Sequence, residues 1–157
     1  MLKIKDFEDS VRKNDFESAL IVDNNGNELV KKKGTSTGVD FSKEERDLMK
    51  KSKNVILTHN HPRDLPLSKS DYVFAAQNNL AEVRAVGPRT TYVLKRPKSG
   101  WPNAGLIGSE YDTAMYGVYN KTKDSSVFPD SKMLSTSINE ELNKKFNFKY
   151  EVYEARN

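Results

Sequence analysis

The chain has 157 residues, 36% of them hydrophobic and 31% charged, with a net charge of +4. This length fits one domain with its own core, the composition is polar for a globular protein without being that of a disordered chain, and no apolar run is long enough to span a bilayer. The chain has no cysteine, which excludes disulfides, thiolate ligands and a cysteine nucleophile, and the N-terminal string MLKIKDFEDS lacks the apolar core of a signal peptide, so a cytoplasmic protein is expected.

Phe7 and Val11, four apart, predict a short amphipathic helix over Lys5–Lys13. In ESALIVDNNGNELVKKKG, two β-prone runs flank Asn24-Asn25-Gly26-Asn27, and an Asn-Gly step supplies the positive φ angles of a tight hairpin. The lysine run Lys31-Lys32-Lys33 reads as a solvated face, with a nucleic-acid surface as the rarer alternative. Gly34–Gly38 is a loop, and Ser42 with Glu45 forms a capping-box pattern that starts a helix over Lys43–Lys51. Val55–His59 is a buried strand ended by Pro62.

Pro62–Leu67 is then a loop, with Ser68 as the N-cap of a helix over Lys69–Glu82. Its core stripe is Val73, Phe74, Gln77, Leu80 and Ala81. Strands follow at Val83–Val86 and Thr90–Leu94, joined at Gly87-Pro88. The glycine- and proline-rich string Pro97–Gly108 predicts a loop near the mouth of a site or capping the strands, with Trp101 as an anchor. Helices near Glu110–Lys121 and Lys132–Phe146 come next. Phe148, Tyr150 and Val152 alternate as a closing strand. The alternation predicts an α/β (α+β) architecture in one domain, residues 1–157.

The only two histidines stand at His59 and His61, in VILTHNHPRDLPLSKSD. Side chains two apart on a strand share a face, so both imidazoles can converge on one metal ion. A carboxylate from the next element would complete three protein ligands and leave a position open, the arrangement of a catalytic zinc site. Asp71 at the helix start and Asp64 in the loop compete for that place. Ser68 with Asp71 also reads as an ordinary helix cap.

HNHP followed by Ser68-x-x-Asp71 resembles the metal-binding signature of the JAB1/MPN/Mov34 (JAMM) metalloprotease superfamily. The asparagine between the histidines is more like the bacterial RadC-like branch, and there is a weaker likeness to such domains in phage and mobile-element proteins. The family also carries an upstream strand glutamate, which Glu17 in ESALIVD matches; Glu28 on the partner strand is its rival. The resemblance covers a core at about residues 16–96, with residues 97–157 as a C-terminal extension of further helices. It implies a mixed β-sheet flanked by helices. It also implies zinc (Zn2+) held by His59, His61 and Asp71, Glu17 as general base, and Ser68 as donor to the developing oxyanion. The implied reaction is cleavage of a peptide or isopeptide bond in a protein or peptide substrate by metal-activated water.

Six residues separate His61 from Ser68, one fewer than the family spacing. If the shortening is absorbed, Asp71 faces the imidazoles. If it is not, Asp71 caps its own helix and the imidazoles are left with Asp64 or solvent. Two other readings therefore stand beside the hydrolase: a RadC-like protein acting around DNA, and an inactive JAMM-like binding module of phage or mobile-element origin. Arg84, Arg89, Lys95 and Arg96 would be the surface for a nucleic acid or protein partner. An HNH nuclease is excluded, since its motif disperses residues that are contiguous here and needs a further histidine.

Overall fold

Buried residues follow one another in both phases along the four inner strands, so each of these buries both of its faces. Ala19 and Ile21 point one way, Leu20 and Val22 the other, and all four are at most 1% exposed. A sheet of this kind needs a layer on each side, and the computed structural model, which describes residues 2–123 and 130–155, supplies both. Helix α1 (Leu2–Val11) covers one face, burying Ile4, Phe7 and Val11 against Leu20, Val22 and Val86. On the other face, Leu57, Val83, Ala85 and Leu94 pack with Met49, Tyr72, Ile107 and Leu142 from the remaining helices.

Those helices are α2 (Lys43–Lys51), α3 (Lys69–Gln77), α4 (Ala104–Thr122) and α5 (Ser131–Phe146). The strands are β1 (Ser18–Val22), β2 (Glu28–Lys33), β3 (Ile56–Asn60), β4 (Glu82–Val86), β5 (Thr90–Lys95) and β6 (Lys149–Glu154). They form one mixed sheet in the order β2-β1-β3-β4-β5-β6, in which only β3 and β4 pair in parallel. A parallel pair needs a crossover, and α3 provides it. The expected α+β architecture is present. The C-terminal segment does more than append helices, because β6 completes the sheet beside β5; residues 124–129, 156 and 157 of that segment lie outside the described residues. No helix among the described residues is long and apolar enough to cross a membrane.

The cap at Ser42 predicts α2 to the residue, with Ser42 Oγ accepting the Glu45 N–H at 3.1 Å. Three expectations are corrected. The hairpin turn takes its positive φ at Gly26 alone (81°), because the Asp23 carboxylate accepts the N–H groups of Asn25 and Asn27 and organises the turn itself. Helix α3 stops at Gln77 rather than Glu82, since Asn79 turns left-handed (φ 50°) and Leu80 drops, fully buried, into the core. Helix α4 begins at Ala104, within the string read as loop. Asn103 caps it through the Leu106 N–H at 3.2 Å, and Gly108 is buried where α4 faces Lys69 and Val73 of α3.

Trp101 is an anchor, but it does not line the cleft described below. Its Nε1–H donates to the Leu80 carbonyl at 2.8 Å and its ring meets Phe148 edge-on. Trp101→Ala is expected to lower stability by about 2–3 kcal/mol in denaturant melts, from lost packing and an unpaired carbonyl, while leaving metal uptake unchanged.

Candidate metal centre

The alternation of β3 places His59 on the same face as Leu57, toward α3, directly across from Ala19 of β1. His61 lies one residue beyond the strand, but its N–H still bonds the Val86 carbonyl at 2.9 Å, so the end of β4 holds it. Both imidazoles therefore project at the carboxyl ends of the parallel pair β3/β4, where open α/β sheets place their ligands. Glu17, just before β1, continues the hairpin ladder: its N–H donates to the Thr35 carbonyl and its own carbonyl accepts from Gly34, both at 2.7 Å.

Asp71 faces both histidines. Its Oδ1 lies 3.0 Å from His59 Nε2 and its Oδ2 lies 3.3 Å from His61 Nε2, while the two Nε2 atoms are 2.9 Å apart. Ligands about 2.0–2.1 Å from a tetrahedral zinc stand about 3.3 Å from one another, close to these separations. Glu17, His59 and His61 are all buried, and each offers a ligand atom within 4.8 Å of the others. The donor set of imidazoles and carboxylates could hold a metal ion.

Facing the imidazoles and capping the helix, posed by the sequence as alternatives for Asp71, occur together. Ser68 Oγ accepts the Asp71 N–H at 3.2 Å, and Asp71 Oδ2 accepts the Ser68 N–H at 2.9 Å, a full capping box. This leaves Oδ1 as the carboxylate oxygen free of backbone bonds. The helix start is preorganised by the same residue that closes the imidazole pair. The Ser68 hydroxyl lines the cleft and, having accepted from Asp71, keeps its own hydrogen to donate.

Asp64 is not a ligand candidate. Left-handed at φ 58°, it turns away and accepts the N–H groups of Arg89 and Thr90, the Thr90 hydroxyl (all at 3.0 Å) and the Lys132 ammonium. It thus pins the histidine loop to the β4–β5 turn, where Gly87 is required because a Cβ would fall 2.6 Å from the Asp64 Cα. It also swings the Leu65 carbonyl to within 2.7 Å of His61 Nδ1, which donates to it and so aims Nε2 at the site. Glu28, the rival base, is exposed and pairs with Val22 at the far end of the hairpin from Glu17.

The electrostatics follow from burial. Burial disfavours a charged His61, but the hydrogen bond and charge of Asp71, the Leu65 carbonyl and the charge of Glu17 outweigh it, holding its pKa up at about 9. Burial likewise works against an ionised Asp71, yet both histidines hold its carboxyl well below the usual range. Glu17 is pushed up by burial, with the two histidines partly opposing. His59 Nδ1 is buried with no hydrogen-bond partner among the described residues. A metal on Nε2 moves the ring proton to that nitrogen, where an unmatched N–H costs about 1–3 kcal/mol, so His59 is the less supported of the two imidazoles.

Asn60, between the histidines, points to the opposite face and is fully buried. Its Nδ2 donates to the Phe16 carbonyl at 2.8 Å and its Oδ1 accepts the Ser18 N–H at 2.6 Å, gripping the backbone on both sides of Glu17. Its position between the histidines was visible in the sequence; its bonds across to β1 were not. Outside the centre, Arg84 is tied to Glu8 at 2.6 Å and to Glu82 at 2.8 Å, and Arg96 to Asn54 and the Asn79 carbonyl. Lys32 pairs with Glu45 and Lys33 lies over the Phe16 ring. Much of the basic character noted in the sequence is thus engaged internally.

The cluster lies in a cleft of about 900 Å³ between the 36–41 segment and α3, with Val39, Phe41, Leu65, Phe74 and Tyr111 among its walls. No family model matches the chain, and no curated protein or solved structure matches it.

Proposed function

We propose that this chain is a zinc-dependent hydrolase of JAMM type that cleaves a peptide or isopeptide bond. The observation that carries the reading is the convergence of His59 Nε2, His61 Nε2 and the Asp71 carboxylate at separations of 2.9–3.3 Å, with Glu17 beside them. His59, His61 and Asp71 would hold the ion. The chemistry that zinc supplies when bound is acidity for a water near neutral pH and polarisation of the scissile carbonyl.

The other steps belong to the chain's own side chains. Glu17, raised by burial yet able to ionise, takes the proton of the attacking water and returns it to the leaving amine. The Ser68 hydroxyl donates to the carbonyl oxygen as negative charge develops there. The apolar walls at Phe41 and Phe74, whose rings are 5.3 Å apart, hold the flanking part of the substrate and exclude water.

The test is elemental analysis of untagged protein incubated with zinc, then assay on peptide and isopeptide substrates. About one equivalent bound, lost in His59→Ala and His61→Ala, supports the reading. Less than roughly a tenth of an equivalent in the wild type overturns it in favour of a binding module.

Metal binding must also follow pH. Without metal, His61 carries a proton up to about pH 9, and ligation through Nε2 must release it. Apparent zinc affinity is therefore expected to rise about tenfold per pH unit below that value and to flatten above it, measured by competition with a chelator of known pH dependence. A pH-independent affinity would remove His61 from the ligand set.

A further inference from the structure

Leu67 immediately precedes the Ser68 cap and Tyr72 immediately follows Asp71. Both are fully buried, and both are tied to one side chain on α5. Asn139 Nδ2 donates to the Leu67 carbonyl at 3.0 Å and to the Ser135 carbonyl at 2.9 Å, while its Oδ1 accepts the Tyr72 hydroxyl at 2.6 Å. Both amide hydrogens and the amide oxygen are thereby engaged. Asn143 closes the network, its Nδ2 donating to the Tyr72 hydroxyl at 2.9 Å and to the Asn139 carbonyl at 2.6 Å.

A fully buried amide is a poor way to gain stability alone. Each hydrogen bond replaces one made to water, and an apolar side chain of similar volume packs as well. What the amide adds is direction, because Asn139, with both hydrogens and its oxygen engaged, admits one arrangement of the groups it bonds. Here the members grip the two residues that bracket Ser68–Asp71. Nearer the start of the same helix, Lys132 bonds Asp64 of the histidine loop. The position of the α3 start above the imidazoles is thus held from α5 at the histidine loop and on both sides of the cap.

We propose that α5 is a working part of the metal centre, with Asn139 as a positioning residue that holds the Ser68–Asp71 helix start at ligating distance from His59 and His61. This rests on the reading of those two histidines and Asp71 as ligands.

The test uses the full chain and cobalt(II), whose visible absorption reports both affinity and ligand geometry. Asn139→Leu keeps the volume and removes the bonds; Tyr72→Phe keeps the ring and removes one hydroxyl. Phe7→Ala, on the opposite face of the sheet, supplies a comparable loss of stability away from the network. Both network variants are expected to bind cobalt about tenfold or more weakly, in the range for groups that orient ligands, and with an altered absorption spectrum. Phe7→Ala is expected to match the wild type in both. Wild-type affinity and spectrum in a folded Asn139→Leu variant overturn the proposal; if Asn139→Leu does not fold, wild-type affinity and spectrum in Tyr72→Phe overturn it instead. Equal weakening in Phe7→Ala also overturns it, by showing that general stability is what the metal senses. A wild type that takes up no cobalt overturns the ligand reading itself, a result distinct from all of these.

Discussion

Glu17→Gln is expected to keep its metal and lose hydrolysis by about a hundredfold or more. Glutamine has the same length and can still hydrogen-bond a water, but it cannot accept the water's proton. The fold should not notice the change, because Glu17 is held through its backbone, by Thr35 and Gly34 on one side and by the Asn60 clamp around it. Glu28→Gln, at the exposed far end of the hairpin, is the matched control and should retain full activity. The pH profile carries the same information with a definite sign. A base works only when ionised, so activity should fall on the acid side as Glu17 takes up its proton; burial raises its pKa, while the two histidines and a bound cation oppose the rise. The measurement is steady-state cleavage of a fluorogenic peptide or isopeptide by variants of equal metal content. A fully active Glu17→Gln enzyme would remove Glu17 from the mechanism.

The sequence was most legible where signals are local. Ser42 and Glu45 mark the start of α2 because a cap is a contact between near neighbours. The apolar run to His59 marks β3, and the period of two puts both histidines on one face. Legibility failed where a distant residue decides. Leu80 and Ala81 keep helical spacing after Gln77, but the chain turns at Asn79 and the apolar character serves the core instead. Gly105 and Gly108 read as loop residues, yet both lie in α4, and Gly108 is buried where α4 faces α3. The loop between His61 and Ser68 shows the same limit at the site. Its length was countable, but the left-handed Asp64, its docking onto Thr90 and the Leu65 carbonyl behind His61 depend on β5 and on backbone direction. Asn139 is farther still from the histidines along the chain and belongs to no recognisable motif.

Asp71→Asn separates the two jobs that this residue performs at once. As a cap, Asp71 offers an oxygen to the Ser68 N–H and its own N–H to Ser68 Oγ. An asparagine side chain retains an acceptor oxygen, so the capping box should survive and stability should fall by no more than about 1 kcal/mol. As a ligand, Asp71 brings a negative charge between two imidazoles, held ionised by them against its burial. An amide has no charge to bring, and one of its two positions presents N–H groups to a nitrogen or to the metal. Zinc affinity should therefore fall about a hundredfold or more, as expected when one of three protein ligands is lost. The variant also changes His61, whose raised pKa rests on the Asp71 hydrogen bond and charge once burial has been overcome. Without that carboxylate the pKa should drop from about 9, and the pH dependence of any residual binding should move to lower pH with it. The pairing of outcomes is diagnostic: a thermal melt near that of the wild type together with lost zinc assigns Asp71 to the metal. A destabilised variant that still binds zinc at wild-type affinity would make Asp71 a cap alone and leave the two histidines without their third ligand.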